Sequence, residues 1–254
     1  MIETADLLAL APHADRTLLS GLVPALNVAL PLWRLATAPR LPHFLAQAAQ
    51  ETDGFRTLEE YASGDGYEGR TDLGNVLAGD GRRFKGRGIF QTTGRSNYAR
   101  LGTALGLPLL DEPARLTEPG LAVLSACIYW ADADLSILAD AGDGIGIGRA
   151  INRGNPLSAK PANGEADRLL YLAVAQAIWP APSTPKVGAP TVRRLQQALN
   201  DLGAAPVLLV DGDIGPLTAE ALRQFQTAHG LIPDGRCGEA TWTAITAALA
   251  ALPT

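Results

Sequence analysis

Pro42-His43-Phe44-Leu45-Ala46-Gln47-Ala48-Ala49-Gln50-Glu51-Thr52-Asp53-Gly54-Phe55 is the stretch from which the fold can be read. Pro42 opens a helix, and Phe44, Gln47, Ala48 and Glu51 then recur at helical spacing on one face. Asp53-Gly54 breaks it. So apolar a segment belongs in a core, yet it delivers a glutamate to its own C-terminal end. A carboxyl above such a face is partly withdrawn from water, which favours its protonated form. A last-turn glutamate also opposes the helix dipole, which favours the protonated form further but makes it a poor choice for stability.

After the break the chain runs through Phe55 to Glu59-Glu60. The turn allows a second carboxylate to face Glu51 across a cleft, and spacing alone does not choose between Glu59 and Glu60. Paired carboxyl groups in different protonation states are what glycosidic hydrolysis requires, about 6.5–9.5 Å apart where a water must fit between sugar and base. Downstream lies Gly79-Asp80-Gly81-Arg82-Arg83-Phe84-Lys85-Gly86-Arg87-Gly88-Ile89-Phe90-Gln91-Thr92-Thr93-Gly94-Arg95-Ser96-Asn97-Tyr98. Arg87, flanked by glycines, permits close approach of backbone and ligand and can hold one carboxylate ionised. Gln91, Thr93 and Asn97 suit hydrogen bonding to sugar hydroxyls or to a water, and Tyr67 and Tyr98 suit stacking on sugar rings.

Across the 254 residues, 47% are apolar and 19% charged, which predicts a well-buried core. Ala and Leu dominate and β-branched runs are rare, predicting a mainly α fold. Further helices are expected over 17–35, 96–105 and 121–138, the last as one long element. The net charge of −5 argues against a nucleic-acid partner. Cys127 and Cys237 are too few for a disulfide framework, and three scattered histidines give no metal-ligand spacing, so no metal or cofactor is expected. Gly142-Asp143-Gly144-Ile145-Gly146-Ile147-Gly148 lacks the spacing and preceding strand of a nucleotide loop. No signal peptide or membrane-spanning run is visible, so the expectation is synthesis in a cytoplasm and no membrane insertion.

Four prolines between Trp179 and Pro190 predict a semi-stiff linker over 179–190, dividing a domain at 1–178 from one at 191–254. The small domain carries an internal repeat. Asp211-Gly212-Asp213-Ile214-Gly215-Pro216-Leu217-Thr218 matches Asp234-Gly235-Arg236-Cys237-Gly238-Glu239-Ala240-Thr241, each copy a tight turn delivering a helix from Gly215 or Gly238. A compact three-helix module is expected, with Cys237 buried as the counterpart of Ile214. Asp211-Gly212-Asp213 lacks the later oxygen ligands of a calcium loop.

Residues 30–178 resemble glycoside hydrolase family 19 in its short endolysin and bacterial chitinase form. The resemblance runs through Phe44-Leu45-Ala46-Gln47, Glu51, Gly54-Phe55, Glu59-Glu60, Tyr67-Glu68-Gly69-Arg70 and Leu73-Gly74-Asn75. It continues through Gly79-Asp80-Gly81, Gly86-Arg87-Gly88, Gln91-x-Thr93-Gly94-Arg95-x-Asn97-Tyr98, Ile151-Asn152 and Arg168. It implies a lysozyme-like helical domain with a cleft, Glu51 as general acid, Glu60 as base and Thr93 helping to position the water. Gln91, Asn97, Tyr98, Asn152 and Arg168 would line the sugar subsites. Where the family usually has His-Glu-Ser around the acid, this chain has Gln50-Glu51-Thr52. The small domain is similar to the three-helix peptidoglycan-binding module. Together these imply a monomeric endolysin-type enzyme that cuts the β-1,4 glycan of peptidoglycan, reaching the wall after the membrane is permeabilised. A chitinase with the same chemistry stays open, as does a non-catalytic wall-binding or phage structural protein.

Overall fold

The computed structural model describes residues 1–180 and 192–252, and the chain divides into two compact units, Met1–Pro182 and Ser183–Thr254. From residue 181 the expected linker lies outside the described residues. Trp179, its first residue, packs against the core of the large unit.

The large unit is helical: α1 (Thr4–Leu10), α2 (Arg16–Leu32), α3 (Arg40–Glu51), α4 (Asp80–Arg83), α5 (Arg95–Leu105), α6 (Pro119–Asp132), α7 (Leu135–Asp140), α8 (Gly144–Arg153) and α9 (Glu165–Ile178). No strand occurs among the described residues, where sheet-like pairing is confined to the bridges Glu59–Arg87 and Arg87–Thr92. The centre is α3, whose residues from Leu41 to Ala49 are all buried. It lies along α9, with α2 against α6 and α1 against both α2 and α9. Small Ala46, Ala48 and Ala49 let neighbours approach α3, while Phe44 fills the space between Phe90 and Trp130, with ring centroids at 5.4 and 5.3 Å. Burying one such ring contributes about 1.5–3 kcal/mol.

The break after Glu51 is built from three successive residues with positive φ, Asp53, Gly54 and Phe55. The Thr52 hydroxyl donates to Ala48 O at 2.6 Å and accepts from Phe55 N at 3.0 Å, satisfying the frayed end from within. Phe55, fully buried, anchors the turn. A second apolar cluster of Phe84, Tyr98, Leu101, Leu109 and Leu116 supports the loop-rich part of the unit.

The single helix expected over 121–138 is two helices. α6 ends at Asp132, and Asp134 takes φ +51° before α7 begins. The reason is burial: on a straight helix residues five apart point about 140° away from each other, yet Trp130 and Leu135 both enter the same core. The Trp130 indole N–H spans the break to Ser136 Oγ at 3.1 Å. The glycine run at 142–148 forms the start of α8, whose amide at Gly146 is capped by Asp143 Oδ1 at 2.7 Å. A Cβ at Gly144 would meet Leu172 Cδ2 at 2.6 Å and one at Gly148 would meet Arg168 Cδ at 3.0 Å, so these glycines let α8 lie close to α9.

The small unit comprises α10 (Val192–Asp201), α11 (Pro216–Ala228) and α12 (Glu239–Ala250) around Leu195, Leu199, Leu222, Phe225, Trp242 and Ile245. Gly215 and Gly238 are the N-caps of α11 and α12. The repeat has a partner that its sequence does not advertise. Gln196 Nε2 donates to Asp211 Oδ1 at 2.7 Å and Asp213 O at 3.0 Å, while its Oε1 accepts from Gly212 N at 2.9 Å. Gln226 repeats this on Asp234 Oδ1 at 2.8 Å, Arg236 O at 2.9 Å and Gly235 N at 2.9 Å. The expectation of a buried Cys237 needs correction: Cys237 is half-buried and its counterpart Ile214 is exposed, because each turn is held by its glutamine rather than by apolar burial. Replacing Gln196 or Gln226 by Leu leaves buried turn groups unpaired and is expected to cost about 1–3 kcal/mol each. Thermal unfolding of the intact chain followed at α10–α12 by hydrogen exchange checks this, and unchanged protection in both variants would refute it.

Candidate active site

Glu51, the last residue of α3, retains 16% side-chain exposure and pairs with Arg168, whose Nη2 lies 2.5 Å from Glu51 Oε1. Arg168 is only 3% exposed. Its Nη1 donates to Gln47 Oε1 at 2.6 Å and its Nε to Asn163 O at 3.0 Å. The glutamate therefore does not stand alone above an apolar face. Gln47, one turn earlier on α3, and a guanidinium from α9 give it a polar setting.

On the opposite segment Glu59 and Glu60 have different surroundings. Glu59 is 40% exposed and pairs with Arg87 Nε at 2.9 Å and Lys85 Nζ at 3.4 Å. Glu60 Oε2 accepts from the Tyr67 hydroxyl at 2.9 Å, while Oε1 is buried without a hydrogen-bond partner. The backbone N–H of Glu60 is tied to Gly86 O at 3.0 Å. Burial first, and the Glu60 bond second, raise the Tyr67 phenol above its ordinary value, so it stays a donor. Gly86 is where three polar groups converge. A Cβ there would lie 2.6 Å from Gln91 Oε1, 3.3 Å from Thr93 Oγ1 and 3.4 Å from Glu60 Oε2. A side chain there would push the Gln91 amide aside, so glycine allows the close approach expected of the Gly-Arg-Gly loop.

Several expected contacts are placed differently. Tyr98, expected to stack on a sugar, is 0% exposed: its ring packs on Phe84 at 5.2 Å, and its hydroxyl donates to Lys85 O at 2.8 Å and accepts from Arg87 at 3.1 Å. Burial pushes its phenol up to about 12. Arg87 itself is buried, bonded to Arg83 O at 2.9 Å as well as to Glu59, so it holds the neighbouring loop together and does not reach Glu51 or Glu60 as an ion-pair partner. Arg168, expected among the sugar contacts, is spent on Gln47, Glu51 and Asn163. Gln91 (φ +50°), Thr93 and Asn97 are half-buried; Thr93 Oγ1 donates to Gln91 O at 2.9 Å and Asn97 Nδ2 to Thr93 O at 2.7 Å. Asn152 Oδ1, on α8, accepts from Asn163 N at 2.8 Å and so holds the loop that Arg168 also grips.

Sequence reading missed the network that aims Tyr67. Asn75, fully buried, donates to Tyr67 O at 2.9 Å and accepts from Arg95 N at 2.8 Å. Glu68 accepts from Gly79 N and Gly81 N, both at 2.8 Å. Asp80 receives Arg95 bidentately, at 2.6 and 2.8 Å, and Leu77 N at 2.9 Å. The Arg95 guanidinium also lies 4.8 Å from the Phe84 ring centroid. The available signal was Asp, Asn and Glu inside a glycine-punctuated segment, the usual anchors of irregular backbone. Among the described residues no group of three His, Cys, Asp or Glu is placed to hold a metal ion.

Residues 188–245 match the family described as "Putative peptidoglycan binding domain". In overall structure the chain is similar to chitinase C from Streptomyces griseus HUT6037, with TM-score 0.54 and 22% identity over 72% of this chain and 78% of that one. A mutant of chitinase C gives TM-score 0.54 at 20% identity, covering 72% and 95%. A bacterial family 19 chitinase gives 0.53 at 18%, covering 71% and 95%. The chain thus joins a mainly helical unit with the family 19 chitinase fold to a small unit of the peptidoglycan-binding type.

The Asp80–Arg95 pair makes the site sensitive to acid. Arg95, then the Leu77 amide, hold Asp80 near pH 2 against burial, below its ordinary 3.8. A depressed carboxyl contributes stability that is present above its unfolded value and lost as pH falls through its folded one, so the loss runs between about pH 4 and 2, on the order of 2 kcal/mol. Asp80→Asn should unfold more readily at neutral pH and show a flatter acid limb in that window, by circular dichroism. An acid limb identical to wild type would exclude this role.

Proposed function

We propose that the protein is a glycoside hydrolase of endolysin type, cleaving β-1,4 bonds of the peptidoglycan glycan by single displacement with inversion. The observation that carries this reading is the unlike setting of two carboxylates on a fold shared with chitinases. Glu51 has one oxygen held by Arg168. Glu60 has one oxygen on Tyr67 and one buried and unbonded.

In this mechanism Glu51 is the general acid. Arg168, itself seated on Gln47, fixes the carboxyl's direction through Glu51 Oε1. The pair by itself favours the ionised form, so the role requires the second oxygen to take up the proton that it then delivers to the departing glycosidic oxygen. Glu60 is the base. The attacking water gives its proton to the Glu60 carboxylate, whose Oε2 stands with Thr93 Oγ1 and Gln91 Oε1 around Gly86. The Thr93 hydroxyl, beside Glu60 over Gly86, supplies a second acceptor for that water, and Gln91 borders the same spot. The engagement of Glu59 with Arg87 and Lys85 supports Glu60 as the base. Asn97 steadies Thr93, and Asn152 steadies the loop that bounds Arg168. The small unit would keep the enzyme on the wall, raising local substrate concentration without changing the chemistry.

Chitin hydrolysis is the second reading, favoured by the chitinases that share the fold. Product analysis by mass on isolated peptidoglycan and on chitin oligomers separates the two. Cleavage of peptidoglycan with anomeric inversion is expected, and cleavage of chitin alone would replace the first reading by the second. Release of no new reducing ends from either substrate would remove the enzyme altogether. Glu51→Gln and Glu60→Gln should each lower kcat by about 10²–10⁴-fold with the fold intact; activity equal to wild type in either would displace that residue from its role. A chain ending at residue 182 should turn over soluble oligomers within about twofold of the full chain yet fail to cosediment with insoluble wall. Unchanged cosedimentation would deny the small unit its tethering role.

A further inference from the structure

Of the two tyrosines that suggested sugar stacking, Tyr98 is buried and Tyr67 is half-buried with its hydroxyl on Glu60. A third tyrosine is far more exposed. Tyr61 follows Glu60 directly and its side chain is 76% exposed. Single exposed aromatic residues are common and by themselves mean little. This one is held in place. Its hydroxyl donates to Asp53 Oδ2 at 2.9 Å, and Asp53 is in turn fixed by Arg56, whose Nη2 lies 2.5 Å from Oδ1 and whose Nε donates to Asp53 O at 2.9 Å. Asp53 stands two residues after Glu51, in the positive-φ break. The ring therefore spans from the segment of one catalytic glutamate to the segment of the other.

Asp53 also lines an open pocket of about 400 Å³, together with Gly54, Gln50, Asp167, Leu170 and Tyr171. Its wall combines an aromatic ring, apolar carbon and amide and carboxylate acceptors. The Tyr171 hydroxyl lies 3.4 Å from where a Gly54 Cβ would stand, so the two residues meet at the pocket wall. A flat exposed ring with its orientation already fixed, bordering acceptors, matches the two faces of a hexosamine: C–H groups on one side, hydroxyl and acetamido N–H donors at the rim. Tyrosine provides such a surface at low entropic cost because few torsions remain to be fixed.

We propose that Tyr61, pinned by Asp53, is the stacking platform of a sugar subsite that continues into the pocket walled by Tyr171, Gln50 and Asp167, and that it takes one N-acetylhexosamine of the glycan strand. The inference rests on the glycosidase reading of Glu51 and Glu60, and its test separates the two. Turnover is measured with wild type, Tyr61→Ala and Tyr61→Phe on purified peptidoglycan and on the hexamer of β-1,4 N-acetylglucosamine. Binding of the same glycans is titrated calorimetrically on the full chain carrying Glu60→Gln, with and without Tyr61→Ala. Loss of the ring should raise KM and weaken binding about five- to tenfold, leave kcat within about twofold and leave the pH profile in place. Tyr61→Phe keeps the stacking face and should stay within about twofold of wild type. An exposed side chain leaves folding intact, which the thermal midpoint verifies. Equal binding with and without the ring overturns the platform even if the enzyme is active. Loss in Tyr61→Phe as large as in Tyr61→Ala also overturns it, since the effect would then belong to the Asp53 bond. A wild type without turnover whose Glu60→Gln form still binds glycan through Tyr61 would sink the catalytic reading and keep the subsite.

Discussion

The large unit depends on one buried cation. Arg168 enters from α9, almost wholly removed from water, and must find acceptors there or cost several kcal/mol. It finds three: Gln47 and Glu51 on α3, and the carbonyl of Asn163 in the loop before α9. The ion pair and its hydrogen bonds thus bind residues separated by more than a hundred positions in sequence. Other features follow from accommodating it. Gly148 is small because the Arg168 stem passes over α8, and Asn152 ties back the loop that supplies the third acceptor. Breaking such a pair from one side leaves an uncompensated charge, so the arrangement fixes position more than it adds stability.

The same economy governs the small unit. The two matching Asp-Gly turns are closed by glutamines that reach out of helices α10 and α11, each bonded to one Asp, one backbone carbonyl, one glycine N–H and one threonine hydroxyl. In both units many irregular segments are set by polar side chains bonded to backbone groups, while the apolar residues set the helices. With no strands among the described residues, no ladder is available to do this work.

That division explains what was legible in the sequence. Helical periodicity around Phe44 and Ala48, the stop at Asp53-Gly54 and the paired Asp-Gly turns are local signals, and each is an element of the structure. The break at Asp134 was not legible, because only the shared core of Trp130 and Leu135 demands it. Partnerships were hidden for the same reason. Arg87 and Arg168 look alike as cations near a cleft, yet one serves Glu59 and the other Glu51. The tyrosines were equally ambiguous: Tyr61, Tyr67 and Tyr98 differ in burial and hydrogen-bond partner, not in any pattern of neighbouring residues.

A spacing of nine residues between Glu51 and Glu60 looks too short to span a substrate cleft. On a continuous helix it would place them roughly 13.5 Å apart along one rod and about 180° apart around it, on opposite faces. Three consecutive positive-φ residues remove that constraint by turning the chain sharply at Asp53, Gly54 and Phe55. Such conformations are strained for Asp and Phe, and they persist because Phe55 is locked in the core, Asp53 is held by Arg56 and Tyr61, and Thr52 closes the helix end. The strain is therefore offset by contacts made by the turn's own side chains. The two carboxylates can then be held by separate machinery, Glu51 by a rigid helix pair and Glu60 by a loop braced on Gly86 and Tyr67. Separate support is what lets two chemically identical groups occupy different environments, and that difference is the first requirement for assigning one as acid and the other as base.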